Sequence, residues 1–159
     1  VRTHARELGG KIALRGAGAE LNFADLERRA CRVANGLIGA GIQCGDRVAY
    51  LGKNCISYFE ALIGAAKAGA VMVPINWRLA PAEVSVLVAD CSPRWMLAGP
   101  GFEDTVARVA ARVPQFDCGP AGSFGAWRDA QSDADPGHES APQDAALQLY
   151  TSGTTGLPK

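Results

Sequence analysis

Strand-like and helix-like apolar patterns take turns along this chain, and that alternation limits the fold more than any single motif does. "GDRVAYLG" turns at Gly45-Asp46 and enters a short buried strand over 48–51. A helix pattern follows, capped by Asn54, with Phe59, Leu62, Ile63 and Ala66 on one stripe as far as about Gly69. "AVMVPIN" is the next strand, and Pro81 suits the first turn of a helix that turns Val84, Leu87 and Val88 inward. "RWMLA" is a further strand, and Val106, Val109, Ala110 and Val113 mark another helix that Pro114 ends. Upstream, "KIALRGAGAELNF" reads as two extended pieces about a Gly-rich turn. The helix behind it is capped by Asn22, carries Phe23, Leu26, Ala30, Val33, Ala34, Leu37 and Ile38 as its stripe, and stops at Gly39 and Gly41. Strands separated by helices cannot close hairpins, so the expected fold is α/β, with βαβ units forming a mainly parallel sheet flanked by helices.

The stretch 117–144 breaks the rhythm. It is rich in Gly, Pro, Ser, Ala and Asp, with Phe124 and Trp127 as apolar anchors, and is expected to be a surface connection. Residues 146–150 then return as a strand whose carboxyl end delivers the segment 150–159, "YTSGTTGLPK", where open α/β sheets place ligands. With 159 residues, 48% of them hydrophobic, the chain has the material for one core. Lys plus Arg and Asp plus Glu both number 16, which gives no reason to expect a nucleic-acid or anionic-membrane partner. The most apolar run, 61–75, is interrupted by Lys67 and falls short of the about 20 residues a membrane span needs. Five cysteines without C-x-x-C spacing, and His4 and His138 without ligand-like neighbours, argue against a disulfide framework or zinc site and for a reducing, cytoplasmic setting. No signal peptide is visible, and a chain opening on Val1 is expected to lack its true start.

Three Gly pairs, at Gly16, Gly39 and Gly99, lack the third Gly of a dinucleotide-binding turn and are read as turns. "GPGFED" alone sits between a strand and a helix, but Pro100 pins it and Asp104 would set a carboxylate near any phosphate. The terminal loop differs. Ser152, Thr154 and Thr155 bring hydroxyls, Gly153 and Gly156 let backbone N–H groups converge on an anion, and Lys159 adds a point charge. It is not a Walker A loop, because only Thr154-Thr155 separate the two Gly and Leu157-Pro158 stand before the Lys. The residues alone leave two readings open, an anion cradle and an unliganded Ser/Gly loop. Asn76, Trp77 and Arg78 are expected to fix a strand-to-helix turn, with the guanidinium stacked on the indole. Cys55 and Cys91 lie in helical patterns with no partner to lower a thiol pKa, and His138 is expected to be solvated.

"YTSGTTGLPK" resembles the signature phosphate loop of the adenylate-forming (AMP-binding) superfamily, which includes acyl-CoA synthetases, peptide-synthetase adenylation domains and firefly luciferase. The order of "LNFADLERRACRVANGLIGAGIQCGDRVAYLG" and "GAVMVPINWRLAPAEV" before it is similar to that family's N-terminal region, most of all that of bacterial fatty acyl-CoA synthetases. Asn22 and Asp25 stand where Thr and Glu are more usual, which exchanges one capping pair for another. The resemblance implies that 1–159 is the N-terminal fragment of the AMP-binding large domain, inactive alone, with the rest of that domain and a C-terminal domain absent. It implies an acid:CoA ligase that uses ATP with Mg2+ to convert a carboxylic acid, foremost a fatty acid, into acyl-AMP and then acyl-CoA. Thr151, Ser152, Gly153, Thr154, Thr155 and Gly156 would contact the ATP phosphates, and Lys159 would be the catalytic cation on the leaving pyrophosphate. No metal ligand is assigned, and the oligomeric state stays open. An amino-acid adenylation domain, a non-catalytic nucleotide-binding module and an atypical P-loop NTPase are the alternatives.

Overall fold

The computed structural model describes residues 1–16, 18–119 and 121–151. A short helix that no periodicity announced, α1 (Arg2–Glu7), opens the chain and buries none of its residues. The hairpin forms as expected, β1 (Ile12–Gly16) pairing antiparallel with β2 (Ala19–Asn22). Asn22 then caps α2 (Phe23–Gly39), its side chain accepting the Asp25 N–H at 2.7 Å. The remaining elements are β3 (Arg47–Leu51), α3 (Ile56–Lys67), β4 (Val71–Ile75), α4 (Pro81–Cys91), β5 (Trp95–Ala98), α5 (Glu103–Val109), β6 (Gln115–Asp117) and α6 (Ser123–Asp129).

Four strands form a parallel sheet in the order β4-β3-β5-β6, so the chain is α/β with helices on both faces. Period-two alternation divides the strand residues between the faces. Val48, Tyr50, Met72, Trp95 and Leu97 meet α2, α3 and α6. Ala49, Leu51, Val73, Ile75, Met96 and Ala98 meet α4 and α5. A crossover of fixed hand explains the assignment: the step from β3 to β4 runs one way along the sheet, those from β4 to β5 and β5 to β6 run the other, and their helices fall on opposite faces.

Several expected details change. The cap of α3 is Cys55 and not Asn54, because burying Tyr58, Ala61 and Ala65 sets the helix frame one residue later. The large residues Phe59, Leu62 and Ile63 are only half-buried. The innermost face of α3 is small, and a Cβ on Gly64 would meet Val33 of α2 at 2.5 Å, so the two helices approach too closely for bulk. Ile38 is 45% exposed, since it neighbours the fully buried Leu37 and cannot share its face. Helix α5 stops at Val109, leaving Val113 outside it, because 110–114 must turn back into β6.

The stretch 117–144, expected as a surface connection, carries α6. Phe124 is buried there, and Trp127 packs on Trp95 and Phe116 at centroid distances of 5.4 and 4.9 Å. A Cβ on Gly36 of α2 would strike Trp127 at 2.5 Å, so the indole needs that Gly. Beneath the rings, the fully buried Glu60 of α3 bonds Arg29 at 2.9 Å and Arg128 of α6 at 2.6 Å. Among the described residues no helix is long and apolar enough to cross a membrane.

Candidate functional site

Because β3 to β6 are parallel, the loops that follow them share one edge of the sheet. The chain rejoins that sheet beyond α6: the Met72 N–H donates to the Ala146 carbonyl at 3.0 Å and the Gln148 N–H to the Met72 carbonyl at 2.9 Å. This parallel bridge, Leu147 to Met72, carries the backbone toward the carboxyl edge. The strand expected over 146–150 is no more than this bridge, and Pro74 gives the reason. In the same register Pro74 would be the next donor on that side of β4, and it has no N–H. Released from the ladder, Tyr150 turns to α4, its hydroxyl donating to the Asp90 carboxylate and accepting from Gln148 Nε2 at 2.9 Å. Burial, then the Asp90 bond, push its pKa above the ordinary value. Thr151 follows and is exposed. Ser152, Gly153, Thr154, Thr155, Gly156 and Lys159 lie outside the described residues.

The connections from β3 and β5 diverge, and ligand crevices in open α/β sheets form at such a point. Here it is closed. A Cβ on Gly52 would lie 2.6 Å from the Tyr50 hydroxyl and 2.7 Å from Gly99 Cα, so the two turns meet backbone to backbone. In the "GPGFED" turn, Gly101 adopts φ +84° and its N–H donates to Glu103 Oε1 at 3.1 Å. That amide is satisfied internally, as turn chemistry requires, and is not held ready for a phosphate.

Asn76 and Trp77 have the structural part expected of them. Asn76 Oδ1 accepts the Arg78 N–H at 3.1 Å, and the Arg78 guanidinium stands 4.5 Å from the Trp77 ring centroid. Sequence reasoning missed the second cation there, Lys53, with Nζ 4.9 Å from the same ring. His138 is half-buried and not fully solvated, its ring against Gly69, where an added Cβ would come 2.9 Å from Cε1. Glu27, Cys31 and Asp135 converge closely enough to suggest a cation site, but Lys67 Nζ already stands 2.6 Å from Glu27 and 3.5 Å from Asp135. An ammonium takes the place a metal would need.

Cys55 does have partners, against expectation: Cys118 Sγ at 3.7 Å and the Tyr50 hydroxyl at 3.5 Å. Its pKa is drawn down to about 6, first by the hydrogen bond from Cys118 and against the cost of burial. No local pattern announces this pair, because the two thiols are 63 positions apart. Cys91 is an ordinary buried thiol, pushed up by burial.

Residues 1–159 match the family described as AMP-binding enzyme. The chain belongs to that family. Among relatives of this AMP-binding chain, a fatty acid–[acyl-carrier-protein] ligase from Streptomyces coeruleorubidus is 43% identical over 89% of the chain and 28% of the relative. A feruloyl-CoA synthase from Amycolatopsis sp. is 42% identical over 92% of the chain and 29% of the relative. The fold matches that of ATP-bound MatB from Rhodopseudomonas palustris with a TM-score of 0.83 at 32% identity, covering 98% of this chain and 33% of that one. An anthranilate CoA ligase in complex with anthranoyl-AMP gives a TM-score of 0.88 at 27% identity, over 97% of this chain and 32% of that one. The AMP-binding chain thus spans about a third or less of the length of these proteins.

Proposed function

We propose that this chain is the N-terminal part of an ATP-dependent, AMP-forming acid:CoA ligase whose substrate is a carboxylic acid, with fatty acids the class to test first. The family match over 1–159 carries the reading. The parallel bridge at Met72 supports it, because it directs residues 146–148 toward the edge where sheets of this kind bind ligands.

In this reading a substrate carboxylate oxygen attacks the α-phosphorus of ATP, the bond to the β-phosphate breaks, and pyrophosphate leaves. The hydroxyls of Thr151, Ser152, Thr154 and Thr155 and the backbone N–H groups of Gly153 and Gly156 hold the β and γ phosphates. Lys159 balances the charge that develops on the leaving group. Transfer at phosphorus asks the protein mainly for positioning and charge stabilisation, which such groups supply. A thiol then attacks the acyl carbon and AMP departs. Mg2+ would accompany ATP and neutralise part of its charge; the cluster at Glu27 does not suit it, and no step here depends on where it binds.

CoA is the proposed thiol. The relative whose name specifies an acyl-carrier protein supports a second reading, in which the acceptor is a carrier-protein thiol. A cytoplasmic setting belongs to the proposal and rests on five cysteines that are all free. The test is acid-dependent exchange of labelled pyrophosphate into ATP by the full-length protein, across fatty, aromatic and amino acids. Exchange with a fatty acid is expected, exchange with amino acids alone would move the chain to the adenylation domains, and none with any acid would overturn the ligase reading.

A further inference from the structure

At the carboxyl edge of the sheet stand two thiols that the ligase reading leaves unused. Cys55 caps α3 and Cys118 directly follows β6, with the β5 turn between their strands. Their sulfurs are 3.7 Å apart, both residues are half-buried, and neither is bridged. We propose that Cys55 and Cys118 form a peroxide-oxidisable thiol pair, a covalent modification site that joins the start of α3 to the end of β6.

The two sulfurs have unequal parts. Either thiol can donate across the 3.7 Å contact, but only Cys55 stands at the start of a helix, so ionisation falls to Cys55 with the Cys118 S–H as donor, which lowers the Cys55 pKa and raises that of Cys118. The N–H groups of Ser57 and Tyr58, at the start of a helix of 12 residues, add to this although they sit too loosely for a formal cap bond. The Tyr50 hydroxyl adds little, because its one proton goes to the Lys53 carbonyl at 2.5 Å. Cys55 is therefore the attacking sulfur and Cys118 the resolving one.

The reaction balances with a hydroperoxide as oxidant. Cys55 thiolate attacks one peroxide oxygen, the O–O bond breaks, the departing oxygen takes up a proton to leave as water or alcohol, and Cys55 becomes a sulfenic acid. Cys118 sulfur then attacks the Cys55 sulfur; the S–S bond forms, the S–O bond breaks, and the hydroxide leaves as water with the Cys118 proton. The thiols lose two electrons and two protons, and the peroxide gains them. Closing from 3.7 Å to a bond of about 2.05 Å asks the sulfurs to approach by roughly 1.7 Å, within reach of side-chain rotation at two loop ends. The other thiols differ: Cys31 and Cys91 are buried with their pKa pushed up, and Cys44 is exposed.

The test is to treat the full-length protein with stoichiometric hydrogen peroxide near neutral pH, block residual thiols, and map peptides without reductant. A Cys55–Cys118 linked peptide pair that vanishes on reduction is expected. Cys118→Ser should instead accumulate a dimedone-trappable sulfenic acid at Cys55, and Cys55→Ser should leave Cys118 a free thiol. Recovery of both wild-type peptides unlinked while Cys44 is oxidised would overturn the proposal, as would an inert Cys55 in Cys118→Ser. The wild-type map stands even if a variant folds poorly.

Discussion

Arg128→Met should be strongly destabilising although it lies outside the sheet. Glu60 is fully buried, and each carboxylate oxygen has one cation, Arg29 on Oε1 at 2.9 Å and Arg128 on Oε2 at 2.6 Å. Methionine keeps an unbranched aliphatic side chain and removes the guanidinium, so Oε2 is left buried without that partner. Removing one member of a buried pair costs about 3–5 kcal/mol, and the surviving Arg29, whose side chain is 37% exposed, places this case near the lower end. In urea unfolding of the full-length protein followed by circular dichroism, the first transition should lose about 3 kcal/mol of stability. Adding Glu60→Leu to Arg128→Met removes the stranded charge and should recover most of the loss, because a well-packed apolar replacement of a buried pair is often neutral. A loss below about 1 kcal/mol for Arg128→Met, or no recovery in the double variant, would refute the assignment of this pair as the anchor of α6.

Gly52→Ala should cost about 1–3 kcal/mol in urea unfolding, since its Cβ would lie 2.7 Å from Gly99 Cα and the backbone must shift to admit it; a neutral result would mean that the two turns are not in contact. Asp135 is held well below the usual carboxylate range, chiefly by the hydrogen bond from Arg2 and further by Gly137 and Lys67, against burial. Its folded pKa is depressed, so its contribution is present above the unfolded value of about 3.9 and is lost as pH falls below that; Asp135→Asn should flatten the acid limb of the stability curve there, and an unchanged limb would contradict this. Alkylation of Cys55 should set in at lower pH than that of an ordinary thiol, and Cys118→Ala should move its onset upward; an unchanged onset would remove Cys118 as the donor. Lys159→Ala should slow acyl-AMP formation more than thioester formation from supplied acyl-AMP, whereas equal slowing would remove Lys159 from the pyrophosphate.

The strand order needed more than periodicity, but the layers did not. Val48 to Leu51, "AVMVPIN" and "RWMLA" are apolar on both faces, which is what a strand covered by helices on each side must be, so the parallel sheet was legible from these runs. Helix α3 was misread for the opposite reason. Its large residues are conspicuous, yet its most buried positions are Ala61, Gly64 and Ala65 beside Glu60 and Lys67, and no hydrophobicity count ranks small and charged residues as a core face. Helix α6 was hidden because two aromatic residues and an Arg among Gly, Ser and Asp resemble a connection until α2 supplies Gly36 to receive Trp127. The Cys55–Cys118 contact was out of reach altogether, since pairings across 63 residues follow from strand order and not from spacing.

The terminal motif shows the converse. Its hydroxyl and glycine chemistry could be read directly, but a Ser/Gly run has that chemistry wherever it sits, and whether it can meet a ligand depends on the chain that delivers it. Two local facts set the course of residues 146–151. Met72 pairs with both sides of Leu147 and fixes the segment parallel to β4, and Pro74 then withholds the next donor, so the backbone leaves the ladder within the length of β4. The Tyr150 bond to Asp90 holds the departing chain on the α4 face. The same proline therefore lies within an ordinary-looking strand run and sets the point at which that run's neighbour becomes a loop, a double role visible only once the register is known.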